Sequence, residues 1–401
     1  MKHFCVLPFQ HITIRPDGTF NPCSRYRMSS KQRKEQKALM VDTLNVDMNA
    51  VDHVRNSFEW IDLKESLSQN KPMLGCQKCY DQDSNDSKGV DSLRVIKNNK
   101  FGHEKFSDKL DIYDNPLRSL EVSFSNKCEL QCLHCNSQFS SSWFELDKEL
   151  VKHGFDDRQI SDTPELGIPS NFFDNADLSK LEILRINGGE PIGDPLTLPF
   201  FRKLNEQGTL KNLEEMRFLT NGMNFPDDEL LGYFKKITGK VVIYIGVDGY
   251  KESYEKMRYP AKWSVLEHNL ERYVDFAQKT GIRIYMNTTI NSVTFRDLPN
   301  TMLWWLKKTE FLPPRNKSIV PVQVTGPEYL SLKAVPEWER DAVVNRIKDI
   351  VIPQFIDSNW TQNSLDKKIN KLLRFLEQPQ KYNPELKNKL ETFVNVINNT
   401  K

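Results

Sequence analysis

From about residue 115 onward, short apolar runs alternate with longer stretches whose apolar residues recur at helical spacing. Strands are predicted at 118–124, 181–187, 214–220, 241–247, 282–289 and 318–324. Helices are predicted between them at 138–152, 198–206, 227–236, 263–279 and 298–308. This alternation indicates βαβ units, right-handed crossovers and a parallel sheet. Six such units predict an α/β fold built on a partial (β/α)6 barrel of the TIM type, rather than the complete eight-unit barrel.

The two flanks of this region have different patterns. Residues 11–15 and 20–23 predict a hairpin around a turn at 16–19, and a compact cysteine knuckle follows at 75–79. The polar C-terminal tail has leucines at helical spacing. We therefore predict a small N-terminal cysteine-rich domain at 1–105, the partial barrel at 110–335 and a C-terminal helical extension at 336–401.

Composition excludes several classes of partner. The chain has 401 residues, and 56 Lys and Arg against 54 Asp and Glu give a formal charge of +2. This net charge is too small to attract a nucleic acid to the protein as a whole, so no nucleic acid partner is expected. No apolar run approaches bilayer length, and the first residues lack the apolar core of a signal peptide. We expect a soluble, cytoplasmic protein with no membrane partner, whose seven cysteines bind metal rather than form disulfides.

Three cysteines, Cys128, Cys132 and Cys135, form a C-x3-C-x2-C loop directly after the first strand of the barrel region. In parallel α/β folds the chemistry lies at the carboxyl ends of the strands, so this loop is expected on the active face. Three thiolates on a four-iron cluster leave one iron open to a small molecule. A structural zinc site using His134 is the alternative, but His134 abuts Cys135 and adjacent side chains point apart.

Three later strands end in polar and glycine residues that the same rule places beside the cysteine loop. They are the segments 187–191 (Asn-Gly-Gly-Glu-Pro), 220–222 (Thr-Asn-Gly) and 247–249 (Val-Asp-Gly). Glycines allow close approach to a ligand, and a carboxylate can accept from an ammonium group. Each segment alone is also typical of an ordinary turn. The long polar segment 153–173 connects a helix to a strand, so we expect it on the opposite face.

The cysteine loop together with these three turns resembles the radical S-adenosylmethionine superfamily. The upstream region, with Cys5-Val-Leu-Pro-Phe, Pro-Asp-Gly, Cys23 and Gly75-Cys-x2-Cys79, is similar to members that carry an auxiliary cluster of the SPASM or twitch type. The resemblance covers roughly residues 1 to 335. It differs from those members at Gly246, where a serine is common two residues before the aspartate, and at Glu129, where an asparagine is common.

The resemblance implies a [4Fe–4S] cluster on Cys128, Cys132 and Cys135, whose open iron is chelated by the amino and carboxylate groups of S-adenosylmethionine. A low-potential donor such as a flavodoxin or ferredoxin would reduce the cluster. Cleavage of S-adenosylmethionine would then yield a 5′-deoxyadenosyl radical that abstracts hydrogen from a substrate. The implied cofactor contacts are Gly188, Gly189 and Glu190 to the methionine amino group, His134 to the adenine, Thr220, Asn221 and Asp248 to the sugar or carboxylate, and Arg258 to the carboxylate.

The upstream cysteines Cys5, Cys23, Cys76 and Cys79 form a second group. The resemblance implies that they hold a second, auxiliary [4Fe–4S] cluster. Zinc is the rival ligand, because four thiolates with one C-x2-C pair also match an all-cysteine zinc site.

Three functions follow as hypotheses. The first is radical modification of a peptide or protein side chain, and the second is the same chemistry on a nucleotide, sugar or other small metabolite. The third is a noncatalytic, metal-stapled binding protein. The loops after the later strands supply the predicted substrate contacts, which are Tyr250, Tyr254, Arg258, Tyr259, Asn291, Thr294, Arg296, Glu328 and Tyr329.

Overall fold

One eight-stranded sheet organises the molecule, in the order β2-β1-β3-β4-β5-β6-β7-β8. The computed structural model describes residues 3–27, 49–84, 91–101, 112–113, 115–158, 160–324, 326–357, 369, 372–378 and 380–400. The strands are β1 (His11–Ile14), β2 (Phe20–Asn21), β3 (Ser119–Val122), β4 (Ile183–Ile186), β5 (Glu215–Thr220), β6 (Lys240–Gly246), β7 (Arg283–Ile290) and β8 (Lys317–Gln323). All neighbours pair in parallel except β1 and β2. The six strands predicted for the barrel are confirmed.

Helices connect the strands and flank the sheet. They are α1 (Leu7–Gln10), α2 (Ala50–Arg55), α3 (Phe58–Ser68), α4 (Gln77–Ser84), α5 (Leu93–Phe101), α6 (Phe144–Lys152), α7 (Thr197–Glu206), α8 (Thr209–Asn212), α9 (Asp228–Lys236), α10 (Glu252–Met257), α11 (Trp263–Thr280), α12 (Leu298–Lys308), α13 (Glu337–Arg346), α14 (Ile352–Asp357) and α15 (Pro384–Thr400). The predicted helices of the barrel region are confirmed, although the first begins later than expected. Within the described residues, no helix combines the length and the apolar character needed to cross a membrane.

The N-terminal hairpin belongs to the barrel sheet, so the sheet has eight strands instead of the six predicted. Strand β1 pairs in parallel with β3, from His11 opposite Ser119 to Ile14 opposite Val122. All four residues of β1 are buried. This pairing covers an edge of β3 whose backbone groups would otherwise lack partners. The predicted boundary between the first two domains, at 105–110, lies outside the described residues, and the division into three domains stays a prediction.

The two faces of the sheet differ in character. The outer face is apolar and packs under the helices, as Met216 and Phe218 of β5 illustrate, since neither is exposed. The inner face is partly accessible and carries charged side chains, because Glu215, Arg217 and Leu219 alternate with those buried residues along the same strand. The inner face of the sheet therefore borders a partly accessible space, which we call the lumen.

The segment 153–173 does not lie on the opposite face, and that prediction is wrong. Gly167 forms a β-bridge with Ser125, and the Ile168 amide donates to the Phe124 carbonyl at 2.8 Å. The segment thus returns past the carboxyl end of β3 and supports the cysteine loop. Helix α6 has only nine residues, about 13 Å, so most of this long connection is free to fold back.

Helix α15 packs on the same region from the C-terminal side. Phe393 is fully buried among Trp143, Phe155 and Tyr329, with ring centroids 6.5, 5.5 and 5.0 Å away. This apolar cluster also contains Leu133 of the cysteine loop. The C-terminal helix therefore stabilises the loop from behind.

Candidate active site

A cavity of about 400 Å³ opens at the carboxyl ends of the parallel strands. It brings together most of the residues that the sequence singled out. The predicted residues that line it are Cys128, Cys132, His134, Cys135, Gly188, Gly189, Thr220, Asn221 and Arg258. Glu190 and Asp248 are also brought to this end of the sheet, but they lie behind the cavity wall, with 3% and 1% of their surfaces exposed.

The cysteine loop is held by hydrogen bonds to its backbone, which leaves the thiols available. The Ser142 hydroxyl donates to the Cys128 carbonyl at 2.6 Å, and the Trp143 indole donates to the Cys132 carbonyl at 3.1 Å. The Leu133 amide donates to the Met257 carbonyl at 2.9 Å. These contacts connect the loop to α6 on one side and to α10 on the other.

The three cysteines of the loop are close to one another; Cys132 is buried, and Cys128 and Cys135 are partly buried. Burial raises the pKa of Cys128, Cys132 and Cys135 to about 12 each, and each thiol raises the pKa of a neighbouring one. Such a set ionises readily only when a cation binds it, which is how metals and clusters assemble on cysteines. The donor set therefore fits an iron–sulfur cluster. Within the described residues, no three His, Cys, Asp or Glu side chains are arranged to hold a single metal ion.

The glycine turn after β4 packs directly against the cysteine loop. Gly188 and Gly189 have φ values of +77° and +44°. A Cβ at Gly189 would lie 2.5 Å from the Lys127 carbonyl oxygen, and one at Gly188 would lie 2.4 Å from the Ser123 side chain. The Glu190 amide donates to the same Lys127 carbonyl at 2.7 Å. Glycine is needed here because the loop backbone occupies the space of a side chain.

The Glu190 carboxylate joins the ends of two strands. It accepts from the Thr220 hydroxyl at 2.9 Å, the Asn221 amide at 2.6 Å and the Ile192 amide at 3.1 Å. Burial raises its pKa to about 7 in spite of these hydrogen bonds. Its side chain thus positions the turn beside the cavity, and its expected contact with an ammonium group stays a prediction.

Asn221 connects this wall to the residue after the first cysteine. Its Nδ2 donates to Glu129 Oε1 at 2.9 Å and lies 3.9 Å from Cys128 Sγ. Its Oδ1 accepts from the Met223 amide at 2.8 Å. The side chain is therefore held in one orientation at the rim of the thiol group.

A buried ion pair forms another wall. Arg258 Nε and Nη2 lie 2.8 and 2.7 Å from Asp248 Oδ2, and the Thr289 amide donates to Asp248 Oδ1 at 2.6 Å. Burial works to raise the pKa of Asp248, but the Arg258 charge prevails and lowers it. His134 Nδ1 lies 3.8 Å from Asp248, and burial lowers the pKa of His134. His134 therefore faces this pair, and it lines the same cavity as Cys135.

The four upstream cysteines also converge. Burial raises the pKa of Cys5 well above its usual value, and the neighbouring thiols Cys23, Cys76 and Cys79 raise it further. Burial likewise raises the pKa of Cys23 to about 12 and of Cys76 to about 11. Ser24, the residue after Cys23, lines the main cavity. The second thiol group is thus adjacent to the first site, although the two are far apart in sequence.

Several cavity residues were missed by the sequence analysis. They come from the inner face of the sheet and from β1 with the residue after it, and they are Thr13, Arg15, Glu121, Ser123, Tyr244 and Asn287. The available signal was a polar residue at every second position of an otherwise apolar strand. Among the predicted substrate contacts, only Arg258 lines this cavity. Arg296 instead pairs with Glu339 at 2.5 Å, while Tyr254 and Tyr329 are buried in the core.

No family model matches the sequence. A curated relative, GTP 3′,8-cyclase of Mesorhizobium japonicum, is 23% identical over 196 residues, which make up 49% of this chain and 53% of that protein. The chain thus spans about half the length of the curated relative it matches.

Three solved structures give partial matches. The first is anSMEcpe with bound AdoMet, at 20% identity and a TM-score of 0.38 over 58% of this chain and 57% of that one. The second is SuiB of Streptococcus suis, at 12% identity and a TM-score of 0.34 over 84% and 68%. The third is the radical S-adenosylmethionine methyltransferase TsrM of Kitasatospora setae, solved with cobalamin and a [4Fe-4S] cluster, at 11% identity and a TM-score of 0.34 over 52% and 36%. Likenesses this weak carry no argument about function.

Proposed function

We propose that this chain is a radical S-adenosylmethionine enzyme. Cys128, Cys132 and Cys135 would hold a [4Fe–4S] cluster and leave one iron open to the amino and carboxylate groups of S-adenosylmethionine. The observation that carries the proposal is the convergence of three cysteine thiols and a close-packed Gly188-Gly189 turn on one cavity. Once bound and reduced, this pair of cofactors supplies a 5′-deoxyadenosyl radical that abstracts hydrogen from a substrate.

The residues around the thiols support this reading over a zinc site. His134 was the fourth ligand that zinc would need, but its Nδ1 faces Asp248 at 3.8 Å. Its electrostatic neighbours are Asp248, Arg258 and Arg158. In the proposal, His134 contacts the adenine rather than a metal.

The chain's own residues would orient the cofactor. The backbone of Gly188 and Gly189 is open to the cavity and would bind the methionine amino group, with Glu190 holding the turn in place. Arg258 retains donors beyond its contact with Asp248 and would bind the carboxylate. Thr220 and Asn221 line the remaining wall and would contact the sugar.

The four upstream cysteines would hold a second, auxiliary [4Fe–4S] cluster in a twitch-like N-terminal unit. Their convergence and their position next to the cavity wall at Ser24 support a site for four thiolates. Zinc remains the rival for this second group. Metal analysis of anaerobically purified protein separates the two, because about eight irons per chain support two clusters and about four with one zinc support the rival.

We propose a peptide or protein side chain as substrate, on the strength of the resemblance to enzymes with auxiliary clusters. The cavity supports a polar substrate, since Arg15, Glu121 and Asn287 line it. A nucleotide is the second candidate, and the similarity to a GTP 3′,8-cyclase favours it. A low-potential flavodoxin or ferredoxin would supply electrons.

The test measures 5′-deoxyadenosine formed by reconstituted protein with dithionite and S-adenosylmethionine. We expect formation at least tenfold above Cys132→Ala, whereas Cys79→Ala should retain cleavage because it alters only the auxiliary site. Equal amounts from the wild type and Cys132→Ala would instead favour the noncatalytic binding protein. Deuterium transfer from a labelled peptide into 5′-deoxyadenosine would select the peptide substrate, and transfer from labelled GTP alone would select the nucleotide.

A further inference from the structure

The inner face of the sheet carries a group of charged side chains beneath the cavity. We call it the lumen floor, and its arginines are Arg185 on β4 and Arg217 on β5. The two are opposite each other in the parallel register, and Arg185 is also opposite Glu121 on β3. Three charged residues on successive strands therefore face the same level of the lumen.

The lumen floor lies at the inner end of the cavity. Residues two apart on a strand share a face, separated by about 7 Å. Asn187 and Leu219 line the cavity, so Arg185 and Arg217 lie one step deeper on the same strands. Glu121 itself lines the cavity and is opposite Arg185 in the strand register. Among the described residues that line the cavity, neither arginine is present, so the two guanidinium groups lie below its lining.

Lysines add to the positive charge of the lumen floor. Lys100 of α5 lies 3.7 Å from Glu215, and Lys97 of the same helix is close to Glu215 and Glu121. Lys240 also lies near Glu215. Among the described residues, Arg185, Arg217, Lys97, Lys100 and Lys240 therefore lie near the two carboxylates Glu121 and Glu215, and Arg217 pairs directly with Glu215. Burial lowers the pKa of Lys97, and the charges of Arg217 and Lys100 lower it further, which reflects this excess.

The carboxylates do not use the full donor capacity of the arginines. Glu121 accepts from Asn187 Nδ2 at 2.8 Å, while Arg185 Nη1 is 3.9 Å away. Within the part of the chain that the structure describes, Arg185 Nε is buried without a hydrogen-bond partner. The Arg185 and Arg217 side chains are 38% and 39% exposed although they lie within the barrel. Guanidinium groups offer five donors in a planar fork that matches carboxylate and phosphate.

We infer that the lumen floor binds an anionic group of the substrate, either a carboxylate or a phosphate. Arg185 and Arg217 donate hydrogen bonds to the oxygens of this anionic group. The remainder of the substrate extends through the cavity toward the cysteine loop. This inference rests on the proposed function, since it names the chemistry of the substrate for that site. An acidic peptide and a phosphorylated metabolite share this anchor.

Equilibrium dialysis of the full-length, anaerobically reconstituted protein tests the site with radiolabelled inorganic phosphate and, separately, acetate. The double variant Arg185→Gln/Arg217→Gln should bind the preferred anion at least tenfold more weakly than the wild type. Arg202→Gln is the matched control, because Arg202 lies outside the lumen and pairs with Glu229 at 2.8 Å. Preference for phosphate identifies a phosphorylated substrate, and preference for acetate identifies a carboxylate.

Equal affinity of the wild type and the double variant for both anions would overturn the inference. Arg185→Lys is a second test that does not depend on correct folding of the double variant. It keeps the positive charge at residue 185 but loses the planar set of guanidinium donors. Arg185→Lys should bind the preferred anion with an affinity between those of the wild type and the double variant. An affinity equal to that of the wild type would show that the guanidinium of Arg185 is not needed for anion binding.

The dialysis result is separable from the proposed function. A wild type that forms no 5′-deoxyadenosine but binds anions through Arg185 and Arg217 would overturn the radical chemistry alone. A wild type that forms 5′-deoxyadenosine without arginine-dependent binding would overturn the lumen floor alone.

Discussion

The guanidinium of Arg258 occupies the space above Gly246. A Cβ at residue 246 would lie 2.4 Å from Arg258 Nη2 and 2.9 Å from Arg258 Cζ. In the enzymes that the sequence resembles, a serine is common at this position and would supply a hydroxyl. Here the absent side chain makes room for an arginine that pairs with Asp248 and also lines the cavity. The departure at Gly246 and the position of Arg258 are thus one structural feature.

Gly246→Ser is therefore expected to weaken the site rather than restore it. Displacement of Arg258 would leave Asp248 as a buried charge without its partner, at a cost of about 3 kcal/mol. We expect at least tenfold weaker binding of S-adenosylmethionine and lower stability in urea. Gly232→Ser is the control, because a Cβ there meets nothing within 4 Å. Wild-type affinity in Gly246→Ser would show that Arg258 does not bind the cofactor.

Gly189→Ala should prevent assembly of the cluster. The added Cβ would lie 2.5 Å from the Lys127 carbonyl, so the loop that carries Cys128 would have to move. Iron content after reconstitution should fall by half or more. Gly208→Ala has a similar backbone conformation, with a φ of +72°, and an open surrounding. It should cost about 1 kcal/mol of stability and retain its iron. Equal iron in both variants would contradict the close-packing argument.

Glu190 should make stability depend on pH. Its pKa rises from 4.5 to about 7 on folding because of burial. A raised pKa favours the folded state fully below pH 4.5, and this contribution is lost as pH rises toward 7, by about 3 kcal/mol at most. The stability of the wild type relative to Glu190→Gln should therefore fall between pH 5 and pH 8, as measured by urea unfolding.

Glu229→Gln should change the pH dependence of stability in the opposite direction and serves as a comparison. Hydrogen bonds from Arg202 lower the pKa of Glu229, which is exposed on α9. Its contribution is present above its ordinary pKa and is lost on acidification. A pH-independent difference for Glu190→Gln would show that Glu190 is charged in the folded protein across this range.

Phe393→Ala should loosen the cysteine loop from behind. Phe393 is fully buried against Trp143, whose indole donates to the Cys132 carbonyl. Removal of the ring should cost about 3–4 kcal/mol. We expect faster hydrogen exchange in residues 128–135 and faster loss of iron on dilution. Trp338→Ala, at a side chain that is 69% exposed, should change neither quantity. Unchanged hydrogen exchange of residues 128–135 in Phe393→Ala would show that the C-terminal helix does not stabilise the cysteine loop.

Local pattern was sufficient for the barrel strands and for the order of the loops. Apolar runs such as 241–247 end at polar turns, and the rule for parallel strands places those turns together. The convergence of Cys128 with Gly188 and Thr220 follows from this rule, whereas Arg258 was expected there from the family resemblance. These features depend on residues close in sequence and on one general property of the fold.

Long-range packing decided what the pattern could not. Whether residues 11–14 pair within their own unit or with β3 depends on which sheet edge is available, and nothing in the hairpin sequence specifies that edge. The segment 153–173 was placed on the wrong side because its contacts with Phe124 and Ser125 involve residues some 40 positions away.

The sequence by itself determined the cysteine spacing, the βαβ order and the polar turns, because each is encoded in neighbouring residues. Only the tertiary structure decided that Arg258 fills the space above Gly246 and that Arg185 and Arg217 meet at one level of the lumen. The physical reason is that strand register and side-chain packing depend on distant residues, which periodicity along the chain does not specify.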